Sequence, residues 1–99
     1  MEYAVEPSIG YLVLELQVPQ SQSLKDKRAI SQRIRARIRS KFNVSVAELR
    51  PLDKWQTLFI GVALIGDDPV FLQKVLDEVV DLVSGNASIV LLRTQQEFL

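Results

Sequence analysis

Few side chains in this chain are equipped for covalent chemistry. There is no cysteine and no histidine, which excludes thiolate nucleophiles, imidazole acid–base catalysis, disulfides and nearly all zinc sites. Asp67-Asp68 has the carboxylate density to hold a hard divalent cation. Two acids directly before Pro69 are, however, the ordinary start of a helix, where they cap free amides at the positive end of the dipole. Ser23 with Lys25 or Lys27 has the residue types of a Ser–Lys nucleophile, but a serine placed ahead of a helical run is an N-cap. Trp55 stands in a loop, where it can stack on a base or fold back onto the core. Gly10, Gly61, Gly66 and Gly85 are scattered singly and form no phosphate loop. No catalytic residue, metal or cofactor site is expected, and the chain is read as non-enzymatic.

The strongest chemical signal is electrostatic. Between Leu24 and Phe42 stand eight basic residues (Lys25, Lys27, Arg28, Arg33, Arg35, Arg37, Arg39 and Lys41) and one acid, Asp26. The whole chain is nevertheless neutral, with 12 basic and 12 acidic residues. It is therefore strongly polarised, and the excess of seven in this stretch identifies partners better than the net value does. Arginines and lysines gathered on one element supply the sequence-independent part of nucleic-acid affinity. Lys25, Lys27, Arg28, Arg35 and Arg39 are the candidate phosphate contacts. Against this stands a plainer reading, in which the Arg33/Arg37 flank faces the acids Asp77, Glu78 and Asp81 of a second helix. Each such surface pair would contribute only ~0–1 kcal/mol.

These cations have to be positioned by a helix. Ser23 is its expected N-cap, and Leu24, Ile30, Ile34 and Ile38 define an apolar stripe. At 100° per residue, Arg28, Arg35 and Arg39 share one flank, and Arg33 and Arg37 the other. Lys27 and Lys41 fall at the two ends of the apolar line, where their stems can reach water. Before the helix, Ile9–Val18 alternates with period two and ends at Pro19. After it come a strand in Asn43–Leu49, a loop at Arg50–Gln56 and a strand at Thr57–Ile65. A second helix runs from Pro69 to Ser84, with Phe71, Leu72, Val75, Leu76, Val79, Leu82 and Val83 on one side. Gly85-Asn86 stops it, a fourth strand is expected at Ala87–Thr94, and Gln95–Leu99 is read as a tail.

The order β-α-β-β-α-β describes a split β-α-β sandwich. Right-handed crossovers predict a four-stranded antiparallel sheet, order 4-1-3-2, with both helices on one face. Ninety-nine residues, 47% hydrophobic and 24% charged, suit one globular α+β domain over 1–99. The N-terminus lacks a basic n-region and no run is long enough to span a membrane, so a soluble cytoplasmic protein is expected. The second sheet face would carry Tyr11, Val13, Phe59 and Ile65. Aromatics on these two strands can stack bases in RNA-recognition folds, but the third strand lacks the Lys/Arg-Gly-aromatic run. The four residues are read instead as an interface, and a homo-oligomer through this face or a sheet edge is expected.

SLKDKR (Ser23–Arg28), followed by FNVSVAE (Phe42–Glu48) and then Trp55, resembles the bacterial YlxP-like family of unknown function, over about Ile9 to the C-terminus. Lys25, Asp26, Lys27 and Arg28 match its basic motif, and Asn43 and Glu48 its second. The first eight residues are longer than is usual there. The resemblance implies a ferredoxin-like fold and a cytosolic bacterial protein, often encoded beside translation-initiation and ribosome-maturation factors, with no catalytic residue established. Two functions remain open. One is a non-enzymatic RNA- or ribosome-associated adaptor that binds phosphates through the first helix, with ribosomal RNA or a ribosomal subunit as partner. The other is a protein-interaction or regulatory module that uses the basic helix and open sheet face without nucleic acid.

Overall fold

The computed structural model describes residues 5–19, 23–50 and 56–99. Their order is β1 (Ser8–Gln17), α1 (Leu24–Lys41), β2 (Ser45–Leu49), β3 (Thr57–Gly66), α2 (Pro69–Ser84) and β4 (Val90–Phe98). The strands form one antiparallel sheet in the order β2-β3-β1-β4, the expected order read from the opposite edge. β1 and β3 hold the centre because their alternation supplies one wholly apolar face. Leu12 lies opposite Val62, Leu14 opposite Ile60 and Leu16 opposite Leu58, and all six are buried. α1 packs on β2 and β3, and α2 mainly on β1 with further contact to β3 and β4. Ile34 and Ile38 of α1 and Leu76, Val79 and Val83 of α2 close the core over those strands.

Local chemistry sets the helix ends. Ser23 Oγ accepts the Asp26 N–H at 3.1 Å, and Asp68 Oδ1 accepts the Val70 N–H at 3.0 Å with Pro69 in the first turn. Asp68 is thus a helix cap, as its place before proline implies. At the other ends the Phe42 N–H returns to Ile38 O and the Gly85 N–H to Asp81 O.

Three expectations need correction. β4 starts later than Ala87 and continues through most of the segment read as a tail. Asn86 makes a turn in which its side chain accepts the Ser88 N–H and its carbonyl the Ile89 N–H, delaying the strand to Val90. β1 then offers backbone partners as far as Gly10 opposite Phe98, and Leu99 N–H donates to Ile9 O at 2.8 Å. Leu24 is 57% exposed rather than part of the buried stripe; it sits in the first turn of α1, roughly 60° off the line through Ile34 and Ile38. Phe71 is 59% exposed; it lies roughly 110° from the buried line of α2, which runs through Leu72, Leu76, Val79 and Val83. The loop residues Pro51–Trp55 and the segment Met1–Ala4 lie outside the described residues.

Candidate nucleic-acid interface

Of the expected phosphate contacts, Lys25, Arg28 and Arg39 are exposed, while Arg35 and Lys27 are half-buried. The turn of α1 carries Arg28, Arg35 and Arg39 down one flank, away from α2. Arg39 rims a hollow with Asn43, Val44 and Ser45 at the start of β2. Lys27 stands apart from this row, at the N-terminal end of the buried line. Arg35 is partly committed: its Nε donates at 3.1 Å to Ser31 Oγ, and Ser31 is wholly buried. A buried hydroxyl needs a partner, so Arg35 both satisfies the core and reaches its surface. The sequence did not reveal that pairing, because Ser31 reads as one polar residue among many.

Among the described residues the one ion pair joins Arg93 to Glu15. No basic side chain of α1 is paired with a carboxylate there. Arg33 and Arg37 do face α2, without an ion pair to its acids among the described residues. They flank a groove of about 330 Å³ whose floor includes Ile34, Ile38, Val83 and Ile89. Asp77 points to the β4 side of α2, where its Oδ1 accepts from Gln73 Nε2 at 2.9 Å and Gln96 Nε2 at 3.4 Å. The expected neutralisation of the Arg33/Arg37 flank by Asp77, Glu78 and Asp81 is therefore absent. Azimuth accounts for two of the three acids: Leu82 lines the side of α2 nearest α1, Asp77 lies on the far side and Asp81 points away from the sheet. Glu78 shares the side of Leu82 and makes no ion pair with either arginine among the described residues.

The four expected interface residues share the sheet face that neither helix covers. Tyr11 is opposite Ala63, Val13 opposite Gly61, Phe59 opposite Glu15 and Ile65 opposite Ile9. Leu49 adds to them by lying across Gly61, where a Cβ would come within 3.0 Å of its side chain. Tyr11, Val13 and Phe59 are half-buried by these neighbours, and Ile65 is 68% exposed. Towards β4 the face turns polar. Tyr11 Oη donates to Glu97 Oε2 at 2.6 Å, and Arg93 binds Glu15 Oε1 through Nη2 at 2.9 Å and Nε at 3.0 Å. Neither pairing is legible without the β1–β4 register.

The hydrogen bond to Glu97, with lesser help from local desolvation and the Glu97 charge, raises the Tyr11 phenol above its ordinary 10.0. A folded-state value above the unfolded one means stabilisation that is complete below pH 10 and lost as pH rises past it. Tyr11→Phe should therefore flatten part of the alkaline fall in stability. The check is the difference in melting temperature between wild type and variant, followed from pH 8 to 11. A gap that stays constant over this range would contradict the coupling.

Sheet order, crossovers and helix placement define the class: a ferredoxin-like split β-α-β sandwich with a basic first helix. The chain belongs to the family described as "Protein of unknown function (DUF503)", which matches residues 9–96. It is 35% identical over 77 residues, 78% of this chain and 84% of the relative, to "Uncharacterized protein YlxP" of Bacillus subtilis (strain 168). The resemblance to the YlxP-like family is thus established. Among solved structures, the de novo designed protein Foldit4 has a TM-score of 0.56 at 11% identity, over 95% of this chain and 97% of that one. SnoaB from Streptomyces nogalater, a cofactor-independent oxygenase, has a TM-score of 0.50 at 11% identity, over 95% and 92%. At such identities these two share a fold and nothing more. No helix among the described residues is long and apolar enough to cross a membrane.

Proposed function

We propose that this protein is a small, non-enzymatic, cytoplasmic adaptor that binds the phosphate backbone of RNA, in a ribosomal or ribosome-assembly setting, through α1. One observation carries the reading: α1 concentrates eight cations, none of them ion-paired to a carboxylate among the described residues. Arg28, Arg39 and Lys25 stand free in solvent, and such a surface costs self-repulsion unless an anion relieves it. The translation-linked gene setting implied by the YlxP-like resemblance supports RNA as that anion.

A row of long cations without interleaved aromatics makes backbone contacts and reads no bases. Affinity for RNA should then fall steeply with salt and vary little with sequence. Fluorescence anisotropy on structured and single-stranded RNA, at several salt concentrations, tests this. Arg28→Gln or Arg39→Gln should each lower the log–log salt slope by about 0.7–0.9. A wild type that binds neither RNA at low salt nor ribosomal subunits in a lysate overturns the proposal in favour of an acidic protein partner.

A further inference from the structure

β4 is an edge strand of nine residues with only Arg93 and Glu97 charged. Edges of this length are usually blunted by charge, proline or a covering element. Among the described residues no other strand pairs with the outer side of β4, and its middle, Thr94-Gln95-Gln96, is uncharged.

The backbone phase of this edge can be worked out. Leu99 N–H points at Ile9, and amides alternate along a strand. Glu97, Gln95 and Arg93 therefore also turn their N–H and C=O groups towards β1, and Thr94, Gln96 and Phe98 turn theirs outward. We infer that this outward edge pairs with the same edge of a second copy of the chain, about a two-fold axis perpendicular to the sheet at Gln95. Thr94 then exchanges both hydrogen bonds with Gln96 of the second copy. Gln95 meets its own counterpart. Arg93 stands directly opposite the other copy's Glu97, in the close, non-hydrogen-bonded kind of pair where side chains interact most strongly.

Charge selects this register. Same-face antiparallel self-pairing requires the axis to pass through a residue position. Centred on Thr94, the axis would put Arg93 against glutamine; centred on Gln96, it would put Glu97 against glutamine. Only Gln95 pairs both charges with their opposites, and it does so twice by symmetry. Both groups keep atoms for the contact. Glu97 uses Oε2 for Tyr11, and Arg93 uses Nε and Nη2 for Glu15.

The product is a continuous eight-stranded sheet, β2-β3-β1-β4 followed by its mirror order, with all four helices on one side. Each α1 lies over β2 and β3, at the outer end of its half. At the usual strand spacing of ~4.8 Å the two basic helices are then roughly 30 Å apart and face the same way. The dimer would thus present two cationic rows to one partner, although it does not depend on what that partner is.

Complementary charge reversal tests the register itself. Arg93→Glu sets Glu against Glu97 across the axis, and Glu97→Arg sets Arg against Arg93. Each alone should weaken dimerisation on the order of 100-fold. Mixing the two variants should restore it, because every cross-edge pair is again opposite in charge. Sedimentation equilibrium at about 50 µM, in the weak-interface regime, should give wild type and mixture twice the 11.2 kDa chain mass, and each variant alone the monomer mass. Circular dichroism establishes that each variant is folded. Should either fail to fold, amide exchange on the wild type serves in its place: Thr94 and Gln96 amides should gain protection as concentration rises. A monomeric wild type, single variants that dimerise unchanged, a folded mixture that stays monomeric, or exchange at Thr94 and Gln96 independent of concentration would each overturn the inference.

Discussion

Ile34→Asp is expected to remove several kcal/mol of stability, most of what a domain of this size has to lose. Ile34 is only 6% exposed and sits in the main core cluster with Ile38, on the helix that packs on β2 and β3. The substitution forfeits the transfer free energy of a buried aliphatic side chain, ~1.5–3 kcal/mol. It also places a carboxyl at a position that is almost wholly buried among apolar side chains, which adds a further cost of about 1–3 kcal/mol or more whether the group is charged or neutralised. Ala36→Asp, two residues along the same helix, provides the contrast. Ala36 is exposed, so that change should cost no more than a loss of helix propensity, about 0.7 kcal/mol. Urea denaturation of both variants decides the matter. Equal midpoints would mean that α1 does not face the sheet with the line Ile34–Ile38.

That line was readable in the sequence because α1 and α2 are amphipathic over most of their length. The ends of α2 were readable for chemical reasons: an Asp-Pro start and a Gly stop restrict the backbone locally. What escaped depended on which neighbour lies where. Phe71 and Leu24 lie off the buried lines of their helices, and hydrophobicity alone does not report on which azimuth a helix meets its sheet. The full length of β4 is not legible because its pattern is not apolar alternation. Leu92 is an extra residue at the register shift between Glu15 and Leu16, which breaks the period. Beyond it, Gln96 faces the helices and is satisfied by Gln73 and Asp77. A polar residue there looks like a tail until its partners are known.

The candidate site divides in the same way. The basic flank of α1 follows from helical geometry, so Arg28, Arg35 and Arg39 group together from the sequence alone. The neighbours of that flank could not. Whether Arg33 and Arg37 meet Asp77 depends on the azimuth of α2, which packing against β1 decides. Asp77 ends up on the β4 side, and the two arginines border an apolar groove instead. The charge excess of α1 is therefore less compensated in the fold than the sequence suggested.

Removing the whole flank should have a large effect on binding and a small one on folding. The triple variant Arg28→Gln, Arg35→Gln, Arg39→Gln deletes three charges and leaves Ile34 and Ile38 in place. If each guanidinium meets one phosphate, the salt slope falls by about 2–2.7 units. Between 50 and 200 mM salt, that removes most of the affinity's dependence on ionic strength, and at low salt RNA binding should weaken on the order of 100-fold. Arg35 needs separate treatment, because its Nε satisfies buried Ser31. Arg35→Gln can strand that hydroxyl, at a cost of about 1–3 kcal/mol. A double variant, Arg28→Gln with Arg39→Gln, avoids this and should show about two-thirds of the triple variant's slope change at nearly unaltered stability. The measurements are anisotropy titrations across salt, thermal melts, and sedimentation of each variant with ribosomal subunits in a bacterial lysate. Double and triple variants that bind RNA as the wild type does would remove this flank from the contact surface. A double variant that loses binding while keeping its melt would place the phosphates against Arg28 and Arg39, on the side of α1 facing away from α2.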